Sequence, residues 1–184
     1  GGSVLTEECG SWRRHTLFGC SSETDGVFME LSPSVSVTED SDGGTSRSYT
    51  LSISSRIQPV MFQGRSDLSR TTGSPSLGSS EEFLRLVADG TSHVLHLDEA
   101  AFFDSDWRTD GTVSYTAVFP MDAGEIRSIC SAGGITAASP SPEYRLIFPD
   151  DSVRLLQQFF DIFVVHDGEA PVLPVRVSPT SRRT

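Results

Sequence analysis

The sequence predicts an α+β fold: an antiparallel β-sheet of about six to eight strands, built from hairpins, with two short C-terminal helices packed on one face. Three observations carry that expectation. Apolar and polar residues alternate over short runs, which is the period of a half-buried strand. The chain has 29 serines among its 184 residues, with many Thr, Gly and Pro, and these residues favour turns and strand borders over helix interiors. Helical spacing bracketed by stop and start signals is strongest in the C-terminal third.

Residues 1–26 hold Gly, Ser, Thr and charge with only scattered apolar side chains, Trp12, Leu17 and Phe18 among them, and read as a flexible leader. From Val27 the pattern changes. Val27, Met29 and Leu31 alternate with Phe28 and Glu30, and Val35 and Val37 continue the period of two. The run from Glu39 to Gly44 is a turn, since Asp side chains bond their own backbone and Gly accepts positive φ. Tyr49, Leu51 and Ile53 then alternate with Thr50, Ser52 and Ser54, a return strand with one apolar and one hydroxylated face. Gly64 to Ser80 is a long polar loop. Phe83 to Val87 and Val94 to Leu97 flank Asp89-Gly90, a hairpin signal; a capping box of Ser79 and Glu82 opening a short helix is the competing reading.

Thr112 to Phe119 forms another alternating strand, stopped by Pro120. Asp122 as N-cap, Glu125 three residues on and Gly133-Gly134 beyond mark both ends of a short helix carrying Ile126, Ile129 and Cys130. Ile135 to Ala138 and Tyr144 to Phe148 are short strands. A last helix runs from about Ser152 to Val165, with Val153, Leu156, Phe160 and Phe163 as its buried stripe, and Gly168 as its stop. Ala170 to Thr184, with three prolines, is an extended tail or an edge strand. The domain expectation is a leader over 1–26, one α+β domain over 27–168, and a Pro-rich end over 169–184.

The chain contains no lysine and no asparagine; its 14 cationic side chains are all arginine, set against 25 Asp and Glu for a net charge of -11. That composition is expected of a GC-rich coding sequence or a salt-adapted proteome. It removes Schiff-base and P-loop lysine chemistry and N-linked glycans. An anionic surface also argues against nucleic acid as a partner. No run of apolar residues reaches membrane-spanning length, so no transmembrane segment is expected. The start at Gly1-Gly2-Ser3 lacks both a signal peptide and an initiator Met, which fits a processed, exported or lipid-anchored precursor in the periplasm or outside the cell; the cytoplasm is the alternative. Cys9 and Cys20 in a polar stretch could close a small disulfide loop there, while Cys130 is packing on a helix. Arg13-Arg14 and Arg182-Arg183 read as solvated ends.

Metal chemistry has one set of candidates. His96 and Asp98 share a strand face, and Asp104, Asp106 and Asp110 form the densest acidic cluster, so zinc at the first group or calcium at the second are the ions to consider. His93 points away from His96 on a strand, and the acidic run fails the EF-hand pattern at Arg108, Thr109 and Tyr115. No catalytic residue and no cofactor is expected: there is no G-x-S-x-G elbow, P-loop, G-x-G-x-x-G or C-x-x-C, and with so many serines a Ser–His neighbour carries little information. Gly133-Gly134 is a helix stop first and an anion site second. The leading functional expectation is a non-catalytic binding or structural module, exported, for an unknown protein or small ligand. A hydrolase using His96 and the Asp98 to Asp110 segment with a metal, and an intracellular adaptor or regulator, are the alternatives.

Overall fold

The computed structural model describes residues 1–58, 82–140, 143–165 and 176–178. Strands come first, in four successive stretches: β1 (Ser3–Cys9), β2 (Trp12–Phe18), β3 (Cys20–Thr24) and β4 (Val27–Glu39), followed by β5 (Thr45–Ile57). Next are β6 (Glu82–Ala88), β7 (Thr91–His96), a 3-10 turn (Leu97–Glu99), β8 (Phe102–Trp107) and β9 (Val113–Met121). Helix α1 (Ala123–Cys130), β10 (Ile135–Pro140), β11 (Glu143–Ile147), helix α2 (Asp150–Phe159), a π-helical segment (Phe160–Val165) and β12 (Arg176–Ser178) complete the order. The architecture is α+β and mostly antiparallel, as the patterning predicts.

The larger sheet runs β12-β1-β2-β4-β5-β9-β8, with β3 also paired to β4, and the smaller sheet runs β11-β10-β6-β7. Among the described residues only β1 and β12 pair in parallel. The strand count exceeds the expectation chiefly because residues 1–26 are not a flexible leader. They form β1 to β3, and Val4, Leu17 and Cys20 are completely buried. The apolar signal is sparse there because inward positions are shared with polar residues such as His15 and Ser22, both buried. The local signals were nevertheless present. Cys9 pairs with Trp12 across the two-residue turn Gly10-Ser11, and Thr24 pairs with Val27 across Asp25-Gly26, whose φ values of 52° and 82° are those of the primed turn that matches strand twist.

Strands β2 and β3 are one chain path bent in the middle. Trp12 to Thr16 pair with Thr38 to Ser34, whereas Cys20 to Thr24 pair with Leu31 to Val27, so the register steps by one residue between them. Gly19 absorbs the step at φ 100°, and a Cβ there would come within 2.9 Å of the Gly2 backbone. The bend carries β3 toward the small sheet and helix α2: Ser22 Oγ donates to the Ile147 carbonyl of β11 and Ser152 Oγ of α2 donates to the Ser21 carbonyl, both at 2.8 Å.

Alternate residues of β4, β5 and β9 point into the core: Met29, Leu31, Leu51, Ile53, Ala117 and Phe119 are all essentially inaccessible to solvent. The small sheet contributes Leu84, Leu86, Ile135, Ala137 and Leu146 to the same cluster. Phe83 locks the sheets together, its ring lying 5.6 Å from Tyr115 and 5.9 Å from Phe119. Buried hydroxyls do the same, since Tyr115 of the large sheet bonds Tyr144 of the small one, with Ser55 and Ser139 joining them; burial pushes both phenols up from their usual range. The opposite face of the large sheet is hydroxylated, with Thr16, Ser34 and Thr50 in one cross-strand row and Ser54 and Thr116 in another.

Both helices form, the first with the cap its sequence predicts and the last with two shifts. In α1, Asp122 accepts from the Glu125 amide at 2.7 Å while Glu125 accepts from the Asp122 amide at 3.3 Å, a reciprocal capping box. The last helix starts earlier, at Asp150, and is α-helical only to Phe159 before widening to π geometry. Widening lets Phe160, Ile162, Phe163 and Val164 all stay buried, and Arg47 on β5 donates to the freed Val164 carbonyl at 2.6 Å. Two further readings move: β9 continues through Pro120 to Met121, and the acidic stretch 102–107 is strand β8. The hairpin of β6 and β7 holds, so the helix opening at Ser79 does not form over Glu82–Ala88. Expectations for 64–80 and for Gly168 lie outside the described residues; of the Pro-rich end, 176–178 is an edge strand beside β1.

Candidate binding site

Arg13 and Arg14 are not a solvated tail. Alternation on β2 sends them to opposite faces of the large sheet, where Arg14 lies 4.7 Å over the Trp12 ring, bonds Ser36 Oγ at 3.1 Å and approaches Glu7 at 4.0 Å. Arg13 sits on the inward side, paired in register with Glu8 on β1 and Val37 on β4. A cleft of about 190 Å³ opens at this end of the strands, lined by Glu8, Gly10, Ser11, Trp12, Arg13, Val37 and Glu39. The Glu39 amide donates to the Ser11 carbonyl at 2.9 Å and holds the turn against the end of β4. Among the described residues, the buried Arg13 Nε is the one buried side-chain nitrogen or oxygen with no hydrogen-bond partner. Leaving such a group unsatisfied costs about 1–3 kcal/mol.

His15 lies two residues further along the same inward row. Its Nδ1 meets Thr6 Oγ1 at 2.9 Å and its ring packs 4.6 Å from Phe163 of the π-helical segment. Burial, then the Arg13 guanidinium, push its pKa down to about 4, against a smaller upward pull from Glu8. The imidazole is therefore neutral at ordinary pH and serves packing.

The sequence-derived metal candidates are scattered. His96 ends β7 opposite Glu82, and Asp98 falls in the 3-10 turn, so the shared strand face is lost. Asp104 and Asp106 stand opposite Thr116 and Ser114 on the hydroxylated face. Asp110 takes the Thr112 amide at 2.8 Å within its own turn, and that bond lowers its pKa. Among the described residues no three His, Cys, Asp or Glu side chains gather as a metal ion requires.

Cys9 and Cys20 are not placed to bond. Cys9 aligns through Trp12 with Thr38, and Cys20 aligns with Leu31, so the two sit seven residues apart along β4. At ~3.3 Å per residue that is roughly 23 Å, against a reach of ~7 Å between disulfide Cα atoms. All three cysteines are free; Cys9 is exposed, while Cys20 and Cys130 are buried. Burial pushes Cys20 up and Cys130 up to about 12. A thiol reagent should therefore modify one cysteine in the native protein and three in denaturant. Two reactive thiols without denaturant would contradict that packing.

Gly133-Gly134 does behave as an anion site, but its anion is internal. The Asp89 carboxylate accepts from the Gly133 amide at 2.9 and 3.0 Å and from the Gly134 amide at 3.0 Å. This ties the β6–β7 turn to the loop after α1. Asp89→Gly deletes the anchor and relieves the positive φ of 48°, so the loss of about 1–2 kcal/mol expected in chemical denaturation is the anchor's contribution less that relief. One contact that pattern reading passed over is His93 Nε2 to Ser128 Oγ at 2.8 Å, joining β7 to α1. Asp122, at the start of α1, feels the His93 charge, though its carboxyl is lowered first by the Glu125 amide.

Comparison with protein-family models, with curated proteins and with solved structures finds no match to this chain.

Proposed function

We propose that the chain is a non-catalytic binding module and that its ligand site is the Arg13 cleft. The observation that supports this is a concave opening in which Arg13 stands beside Glu8 and Glu39. Charges of both signs in one opening can meet a ligand's donors and acceptors together. Nothing in this reading requires a bond to break. The direct test is a panel of ester, peptide, glycoside and phosphate substrates: no turnover is expected, and turnover abolished by a single substitution would overturn the reading.

A hydrolase is the second reading, and the His93–Ser128 contact favours it. It moves the chemistry from His96 and the Asp98 to Asp110 segment to a different pair. Covalent labelling of Ser128 by a fluorophosphonate, lost in His93→Ala, would establish it. An unlabelled Ser128 in folded protein would remove it.

A further inference from the structure

Resting on the binding reading above, we infer that the cleft takes a free basic amino acid, a small zwitterion with one carboxylate and two cationic groups. Register places the three charges of the opening. Arg13 on β2 stands directly across from Glu8 on β1, with Cβ atoms about 4.5–5.5 Å apart, and Glu39 on β4 is its diagonal neighbour at roughly 7–8 Å. The two carboxylates therefore flank the guanidinium from either side. Neighbours of this kind ordinarily close on one another, as Arg14 does toward Glu7 and Ser36 on the opposite face. Arg13 does not: among the described residues it makes no ion pair with Glu8 or Glu39. Of its guanidinium nitrogens Nε alone is buried without a partner, so the η nitrogens, which have no hydrogen bond within the chain, keep solvent access.

Charge then selects among small ligands. A simple anion drawn to Arg13 meets two negative neighbours, and a simple cation drawn to a carboxylate meets the guanidinium. A zwitterion escapes both conflicts, since its carboxylate takes protons from the η nitrogens while its ammonium gives protons to one Glu. The second Glu is left over, because one guanidinium faces two carboxylates in this lining. A further cationic group on the ligand, the side chain of lysine or arginine, neutralises it. At about 190 Å³ the opening is small beside the ~300–1,000 Å³ of drug-sized pockets, which suits one amino acid rather than a peptide.

Chemical-shift titration of the full chain at low ionic strength tests this, following the backbone amides of Gly10 and Ser11 in the cleft lining. The probes are L-lysine and L-arginine, then glycine, Nα-acetyl-L-lysine, 1,5-diaminopentane and sodium acetate, each of which lacks one of the three charges or more. Saturable shifts with lysine or arginine are expected, with binding of the other four weaker by about tenfold or more. Arg13→Gln should weaken lysine binding by a similar factor and leave the diamine bound no more weakly, a split that misfolding would not produce. Glu39→Gln, at an exposed position, should weaken lysine binding without disturbing the fold. Any of the four comparison probes binding as tightly as the basic amino acids would overturn the ligand class while leaving a binding cleft. No saturable shift with any probe would overturn the class and remove the support for the cleft as a site.

Discussion

Deleting residues 1–26 is expected to abolish cooperative folding. The deletion removes β1, β2 and β3 together, which strips β4 of the partners along one entire edge. Val4, Leu17 and Cys20 leave the core, and Met29, Leu31 and Val35 lose their cover. Burying even one such aliphatic side chain contributes about 1.5–3 kcal/mol, and a domain of this size has only about 5–15 kcal/mol in total. Backbone losses add to that. Far-UV circular dichroism and thermal melting of a 27–184 chain read the result: a non-cooperative profile is expected, and a sharp transition near that of the full chain would restore the flexible-leader reading.

The second large effect is a pH dependence held by His15. Its pKa is about 4 in the folded state and 6.5 when unperturbed. Below pH 6.5 the unfolded chain takes up a proton that the folded chain refuses, so stability falls as pH drops. The slope is about 1.4 kcal/mol per pH unit between those two values and vanishes below the lower one, for a total of about 3 kcal/mol. His15→Leu keeps the packing against Phe163 and removes the titration. Urea denaturation at pH 7 and pH 5 should then show the native chain losing about 2 kcal/mol more than the variant. Equal losses would mean that His15 accepts its proton inside the fold.

Legibility in the sequence followed the density of the apolar signal. Strands β4, β5 and β9 were readable because successive inward positions carry Val, Met, Leu, Ile or Phe while the outward ones carry Ser and Thr. Helix α1 was readable because both halves of its cap are written three residues apart. Strands β1 and β2 were missed because their inward row includes Thr6, Arg13 and His15, polar residues whose burial is set by partners distant in sequence. Two-residue turns at Gly10-Ser11 and Asp25-Gly26 held the missing information. The site was less legible than the fold. An arginine pair reads as solvated until the strand is known, and only then do its members separate into one that covers an indole and one that enters a cleft.

The register of the large sheet also sets an order of events in folding. Most of its neighbours are adjacent in sequence, so β1 with β2, β4 with β5, and β8 with β9 can zip as local hairpins. The β5–β9 ladder differs: pairing Ile57 with Val113 encloses residues 58–112, which include the β6–β7 hairpin and β8. Closing so long a segment costs chain entropy before any contact returns it, so this seam is expected to form after the local hairpins. Mutations at Ile53 or Ala117 should slow refolding, whereas mutations at the terminal β1–β12 seam should mainly hasten unfolding.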